Sequence, residues 1–238
     1  MSGMISQFIT EAAGIAVLPP IDNNYTTGGG DVAVGACVVI APKGPVGKVI
    51  TATAEDWEDL LGRPLPMNQG TKAEGLRQLK DALDDLQYCH VIRVVADDAK
   101  YPSIALPTAA EGAAVKSSHA YGTSLSLANG HWLAVYPVDG DPSTKRRMAI
   151  SDVDSATERF TLSFQEQISG EWQSIQGESY VVGVSVDDVD DSGLTAYLPN
   201  VLEERASRFR AEIATTMDFS VVKASEEAFE GGTNGGDP

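Results

Sequence analysis

The sequence predicts a mixed α+β / α/β protein in which a small α/β unit is followed by a β-rich domain and a closing helix. Three observations support this prediction. An apolar run at 32–45 ends in a Pro-Lys-Gly-Pro turn, and a second apolar run follows at 91–95. The residues between these runs have helical spacing. From His131 onward, short runs of alternating polarity are separated by turn residues, as in strand-rich domains.

The α/β unit is predicted to span residues 31–98 in the order strand, helix, helix, strand. Thr53 with Asp56, and Thr71 with Glu74, have the spacing of capping boxes and predict where the two helices begin. In the second helix, apolar residues recur at three- and four-residue steps, so they should form a stripe that packs on the sheet. These stripe residues are Ala73, Leu76, Leu79, Leu83 and Leu86.

Residues 1–30 are predicted to form an extended N-terminal arm with a glycine-rich hinge at Gly28, Gly29 and Gly30. The arm has apolar side chains but too few neighbours to build a core. An arm of this kind can add a strand to the sheet edge of another subunit. A frayed terminus is the alternative. The candidate interface residues of the arm are Ile5, Phe8, Ile9, Ile15, Val17 and Leu18.

The remaining chain is predicted to contain a linker at 99–130, which is rich in small residues, and a β-rich outer domain at 131–215. The strand spacing suggests a small sandwich or barrel, with Ser169-Gly170 as a hairpin turn. Helical spacing at 200–215 predicts the closing helix. Residues 216–238 are expected to hold a strand and a glycine-rich connector to a C-terminal domain that this chain lacks. The predicted strand runs are 132–136, 147–150, 160–168, 172–175 and 180–186.

Composition argues against two classes of partner. The formal net charge of −17 disfavours nucleic acid, whose phosphates need clustered Lys and Arg, and it also repels anionic membranes. No apolar run approaches the length of about 20 residues that a membrane-spanning helix needs, and the start of the chain lacks a secretion-signal pattern. Cys37 and Cys89 lie within the two apolar strands and are predicted to be small, buried core residues.

No catalytic residue, metal site or cofactor is predicted. The acidic run at 187–191 lacks the spacing of a calcium loop, and Asp139 with Asp141 belongs to an Asp-Gly-Asp-Pro turn. The three histidines lack the close spacing of zinc ligands, and the Gly-x-Ser-x-Gly pattern of a nucleophile elbow does not occur. We therefore expect the chain not to be an enzyme.

The order of several segments resembles the N-terminal portion of contractile bacteriophage tail sheath proteins and related injection-system sheaths. An apolar strand ends in Pro42-Lys43-Gly44-Pro45, a helix ending in Leu-Leu-Gly follows at 53–62, and the strand at 90–95 closes the unit. Segments 132–142, 197–203 and 231–238 continue the same order.

The resemblance implies a structural subunit that polymerises as stacked rings around a tail tube and contracts to drive the tube through the host envelope. Its implied partners are other copies of itself, the tail tube protein, and baseplate and tail terminator proteins, with no nucleic acid and no membrane binding. Its implied location is the virion tail, after a period in the host cytoplasm before assembly. The arm would then link neighbouring subunits.

A carbohydrate- or receptor-binding β-rich module is the alternative hypothesis. Acidic β-rich domains with exposed aromatic side chains commonly stack on sugars, and the candidate residues are Trp132, Tyr136, Trp172 and Tyr180. Exposure distinguishes the hypotheses, because aromatic residues aligned on one surface favour binding, whereas buried ones favour a scaffold.

Overall fold

The computed structural model describes residues 15–16, 33–109 and 112–236, and it forms two compact units. Unit 1 lies within Met1–Val95 and unit 2 within Ala96–Asp237. Three four-stranded sheets and few helices give the mixed α+β class that the sequence predicts.

Unit 1 is built on one sheet, sheet A, with the strand order β1-β2-β4-β3. Strands β2 and β4 are parallel, whereas β1 on β2 and β3 on β4 are antiparallel. A 3₁₀ segment at Met67–Ala73 precedes the second helix. The elements are β1 (Ile15–Ala16), β2 (Val34–Ile40), β3 (Val49–Ala52), α1 (Trp57–Leu61), α2 (Glu74–Leu83) and β4 (Tyr88–Val94).

The predicted order strand, helix, helix, strand is not confirmed, because β3 lies between β2 and α1. A four-residue strand offers too few positions for alternation to stand out in the sequence. The Thr53 amide donates to the Asp56 carboxylate at 2.6 Å, as in a capping box, but α1 begins only at Trp57 with Asp56 as its N-cap, so its start is displaced from Thr53. The second start is displaced, because the 3₁₀ segment includes Thr71 and α2 begins at Glu74.

The predicted apolar stripe of the second helix is confirmed. All five stripe residues, from Ala73 to Leu86, are buried. Four of them join Val39 and Val91 of sheet A in the core of unit 1. Leu76, Leu79 and Leu83 lie within α2 on its sheet-facing side, as expected for an amphipathic helix on a sheet, whereas Ala73 and Leu86 flank the helix.

Unit 2 contains two antiparallel sheets, sheet B with the order β11-β7-β5-β6 and sheet C with the order β10-β9-β8-β12. A short 3₁₀ turn lies at Phe219–Val221. The elements are β5 (Lys100–Pro107), β6 (Val115–Ala120), β7 (His131–Pro137), β8 (Arg146–Asp154), β9 (Arg159–Ile168), β10 (Glu171–Gly183), α3 (Leu198–Glu204), β11 (Phe209–Ile213) and β12 (Ser225–Ala228).

Two expectations for this part of the chain are corrected. The segment 99–130 is not a linker, because it contains β5 and β6. Pro102 and Pro107 weaken the strand signal of β5, since proline is uncommon within sheets. The closing helix is also shorter than predicted, because α3 ends at Glu204 and β11 follows. Phe209 and Ala211 are buried at alternating positions, so the strand period applies there.

The hairpin turn at Ser169-Gly170 is confirmed. Ile168 of β9 pairs with Glu171 of β10, and the two residues between them have φ angles of 54° and 91°. A turn with two positive φ angles matches the twist of the flanking strands. Strand β10 joins two predicted runs into one long strand, with an irregularity between Ser174 and Ser179.

Both sheets of unit 2 contribute to one core. Phe164 of sheet C and Phe209 of sheet B stack with ring centroids 3.7 Å apart, and both are fully buried. Their neighbours in this core are Ile104, Leu133, Val135, Met148, Ile150, Phe160 and Leu162. The two sheets therefore cover each other's apolar faces.

Candidate assembly interface

The loop after β2, which contains the predicted turn Pro42 to Pro45, is held by a buried arginine. Arg93 of β4 is 0% exposed, and its Nε donates to the Ala41 carbonyl at 2.8 Å. Its Nη1 donates to the Gly44 carbonyl at 2.7 Å, and its Nη2 to the Pro42 carbonyl at 3.4 Å. One planar guanidinium thereby binds three carbonyls of the same loop.

Glycine allows this loop to pack closely against the end of α1. Gly44 has a φ of 115°, and a β-carbon there would lie 3.1 Å from the Leu60 carbonyl oxygen. A β-carbon on Gly62, just after α1, would lie 2.6 Å from Pro42. The Lys43 amide donates to the Leu61 carbonyl at 3.2 Å. The turn is therefore fixed to both β4 and α1.

Strand β1 places part of the predicted arm on the edge of sheet A. Ile15 pairs with Cys37 and Ala16 with Ala36, in antiparallel register. The arm therefore adds a strand to a sheet edge, here within one chain. The other arm and hinge residues lie outside the described residues: Ile5, Phe8, Ile9, Val17, Leu18, Gly28, Gly29 and Gly30.

The two faces of sheet A differ in what covers them. Val39 points toward α2, since a β-carbon on Gly75 would lie 3.6 Å from it. Val38, the preceding residue, is 45% exposed, and Val49 of β3 is 62% exposed. Alternate residues of a strand occupy opposite faces. The side away from the helices, which we call the open face, therefore carries Val38, Ile40, Val49, Ile92 and Val94.

The register of sheet A aligns three of these residues in one row. Val38 of β2 lies opposite Ile92 of β4, and Ile92 lies opposite Val49 of β3. Ile40 and Val94 form the adjacent pair. Contiguous apolar surface of this kind commonly marks a binding surface.

Unit 2 has its own arginine-fixed turn, which confirms the turn interpretation of Asp-Gly-Asp-Pro. The buried Arg146 donates to Asp139 at 2.8 Å and to Asp141 at 3.3 Å. Burial opposes ionisation of Asp141, but hydrogen bonds from Ser143 and Thr144 and the charge of Arg146 outweigh it. The pKa of Asp141 consequently lies below its usual value.

A small cavity adjoins this turn, lined by Arg146, Pro102 and Gly232 among others. Its volume is about 80 Å³. Pockets that bind small organic ligands usually measure about 300–1,000 Å³, so this cavity is too small for a sugar ring.

The aromatic residues proposed for sugar binding do not share one surface. Trp132 and Tyr180 are buried in the core of unit 2. Trp172 lies on sheet C beneath the Arg147 guanidinium, 4.8 Å from it, whereas Tyr136 lies on sheet B. The aromatic side chains therefore serve mainly in packing.

Two pairs of potentially reactive side chains lie close together among the described residues. Ser103 Oγ lies 2.8 Å from His119 Nε2, but no described carboxylate is hydrogen-bonded to that histidine. Cys37 and Cys89 are buried, as predicted, and are free thiols with their Sγ atoms 3.6 Å apart. Burial raises the pKa of both thiols, which keeps them protonated and weakly nucleophilic.

The described part of the chain lacks two further features. It contains no group of three or more His, Cys, Asp or Glu side chains placed to hold a metal ion. None of the helices described there is long and apolar enough to cross a membrane.

Sequence reasoning overlooked Arg93, Arg146 and the open face. A signal for Arg93 existed, because a charged residue interrupts the apolar run 91–95 at a position that shares the buried face with Val91. Such a residue must find hydrogen-bond partners inside the fold. The open face had no comparable signal, since continuous apolar strands are also typical of sheets covered on both sides.

The chain was also compared with known proteins. No protein-family model matches the sequence, and no curated protein is significantly similar to it.

Proposed function

We propose that the chain is a structural subunit of a contractile tail sheath, which polymerises as stacked rings around a tail tube and contracts to drive the tube through the host envelope. The observation that carries the proposal is β1, a strand of the N-terminal segment added to the edge of β2. The resemblance in segment order supplies the identity of the assembly, and the strand addition supplies a means of linking subunits.

The geometry of β1 favours exchange between subunits. The strand is only two residues long and is joined to β2 through residues 17–32, which include the three consecutive glycines. A strand that pairs within its own chain can form the same backbone hydrogen bonds on a neighbour's sheet. The exchange then replaces hydrogen bonds within one chain by equivalent hydrogen bonds between chains. Its free-energy cost is therefore confined mainly to the connecting segment.

A sheath that contracts also needs subunits that move as rigid bodies. Three contacts, each within a single unit, support the rigidity of the separate units. Arg93 fixes the loop after β2, Arg146 fixes the turn before β8, and Phe164 stacks on Phe209 across the core of unit 2. We interpret unit 1 as the α/β sheath-like domain and unit 2 as a small sandwich that forms the outer domain.

The proposed partners are other copies of this chain, the tail tube protein, and the baseplate and tail terminator proteins. The proposed location is the virion tail, following synthesis in the host cytoplasm. A net charge of −17 would keep unassembled subunits soluble through mutual repulsion. The proposed function requires no enzymatic activity and no cofactor.

The alternative, a carbohydrate- or receptor-binding module, has weaker support. Two of its four candidate aromatic residues are buried, and the other two lie on different sheets. Sugar-binding sites instead present aromatic faces together on one exposed surface.

Electron microscopy of the particle that contains this chain tests the proposal. Antibody fragments against an exposed epitope around Glu171 would locate the chain relative to any tail tube. We expect label repeated helically along the outer wall of the tube. Label confined to a fibre tip would contradict the sheath proposal and favour the binding module.

A further inference from the structure

The cavity beside the Asp-Gly-Asp-Pro turn lies between two segments of unit 2. Asp141, Thr144 and Arg146 line it from the turn and the start of β8, whereas Phe229 and Gly232 line it from the segment after β12. The two segments also touch directly, since the Phe229 amide donates to the Arg146 carbonyl at 2.9 Å. The cavity therefore lies at a joint between the turn and the glycine-rich segment.

One buried donor at this joint has no hydrogen-bond partner among the described residues. The Arg146 side chain is 5% exposed, and its Nη1 and Nη2 donate to Asp139 and Asp141. Its Nε is buried and donates to no described residue. Buried polar groups in folded proteins are nearly always bonded to protein or to ordered water, because an unsatisfied donor costs free energy. The Nε proton therefore requires a further acceptor.

The charges around the cavity favour a neutral occupant. Arg146 and Lys145 line the cavity and contribute positive charges, while Asp141, also in the lining, and Asp139, paired with Arg146, contribute negative charges. These four charges sum to zero, so a further ion bound at this place would lack a counter-charge. A neutral hydrogen-bond acceptor fits this balance.

The size of the cavity narrows the occupant to water. Its volume is about 80 Å³. A water molecule takes up about 30 Å³ in the liquid, so about two or three molecules fit. A bound water also needs several polar partners, and besides the Arg146 donor the lining residues Asp141 and Thr144 contribute oxygen atoms.

We propose that this cavity binds a cluster of about two or three ordered water molecules, one of which accepts the hydrogen bond of Arg146 Nε. The cluster completes the hydrogen bonding of the buried guanidinium and joins the turn to the segment that begins at Phe229. A water that bridges two polar groups holds them nearly as well as a direct hydrogen bond. The inference concerns unit 2 alone and does not depend on the sheath proposal.

Crystallography of the full chain tests the occupant directly. One crystal is measured at a resolution that shows ordered water, and a second is soaked in sodium bromide, because bromide scatters anomalously and water does not. We expect a water oxygen at about 2.7–3.2 Å from Arg146 Nε and no anomalous peak in the cavity. A bromide peak beside Nε would overturn the proposal and assign the cavity to an anion. A cavity without electron density would also overturn it.

A pair of variants tests the same site in solution. Arg146→Lys retains a positive charge for Asp139 and Asp141 but lacks the Nε donor, and Arg63→Lys makes the same exchange at a side chain that is 90% exposed. Oxygen-17 magnetic relaxation dispersion counts the water molecules that stay bound for longer than the protein takes to tumble. Circular dichroism verifies that both variants retain the fold.

We expect Arg146→Lys to lower the number of long-lived water molecules relative to the unmodified chain, and Arg63→Lys to leave it unchanged. An unchanged number in Arg146→Lys would contradict the proposal, as would an equal loss in the two variants. If Arg146→Lys does not fold, the two crystals decide.

Discussion

The two units bury their apolar surface in different ways. In unit 2, sheets B and C cover each other, and Phe164 and Phe209 stack across the shared core. In unit 1, a single sheet is covered by helices on the side of Val39, while Val38 on the other side is 45% exposed. The difference teaches that unit 2 encloses a core between two sheets, whereas unit 1 has helices on one face of a single sheet. Exposed valines occur in both units, at Val38 and at Val181.

Both units use a buried arginine to hold a turn, but the acceptors differ. Arg93 donates to backbone carbonyls, which do not titrate, whereas Arg146 donates to Asp139 and Asp141. The turn in unit 1 should therefore be insensitive to acid, whereas the turn in unit 2 should be weakened by acid.

The largest expected effect lies in the core of unit 2. Replacing Phe164 with alanine removes a fully buried ring and should lower the free energy of unfolding by about 3–5 kcal/mol. Hydrogen exchange during urea unfolding should show early loss of protection in β7 to β9 with β2 and β4 retained. The matched change in unit 1 is Leu79→Ala, which should show the reverse order. Simultaneous loss in both units would contradict the assignment of Phe164 and Leu79 to separate cores.

Removal of the Arg93 side chain should have the next largest effect, now in unit 1. Arg93→Ala leaves buried carbonyls of Ala41 and Gly44 without these donors, which should cost about 2–4 kcal/mol. Urea unfolding monitored through the buried Trp57 checks this, with Trp132 and Trp172 replaced by phenylalanine in the background. The control is Arg63→Ala, whose guanidinium is exposed; an equal loss there would contradict the role of Arg93.

Acid should distinguish the two arginine-fixed turns. The folded-state pKa of Asp141 is lowered, so its stabilisation is fully present above the unfolded pKa of about 3.9 and is lost as pH falls through the folded value. At pH 7, Asp141→Asn should cost about 1–2 kcal/mol, because a charged hydrogen bond becomes neutral. Denaturation at several pH values should show this difference shrinking below pH 4. A difference that stays constant with pH would contradict the assignment.

The smallest effect should come from the open face. Val39→Thr buries a hydroxyl against α2 and should cost about 1–3 kcal/mol, whereas Val38→Thr should cost roughly 0.5 kcal/mol. Thermal unfolding of the two variants compares the faces directly, since the residues are neighbours of the same type. Equal losses would show that the open face is as fully packed as the helix-covered face.

Patterns within short stretches of sequence predicted several elements correctly. The stripe of α2, strands β7 to β9 and the Ser169-Gly170 hairpin followed from periodicity and turn chemistry. Strand β3 was too short to recognise, and prolines obscured β5. In the segment after α3, the apolar spacing suited a helix, yet pairing with β7 imposed a strand.

The candidate interface was less predictable because it depends on long-range pairing. An arm that adds a strand to the sheet of another subunit was predicted, whereas β1 pairs with β2 of its own chain, and this choice of partner follows from tertiary structure. Likewise, the apolar row on the open face forms because β3 pairs with β4, which places Val49 opposite Ile92. Neither pairing has a signal within a short window of sequence.

The most direct test of the central claim, that unit 1 carries the assembly contacts, is hydrogen exchange of the isolated chain compared with the chain in assembled particles. We predict that assembly increases protection in the N-terminal segment and in β2 and β3, while the core strands of sheets B and C exchange as before. Increased protection confined to sheets B and C, with unit 1 unchanged, would contradict the account.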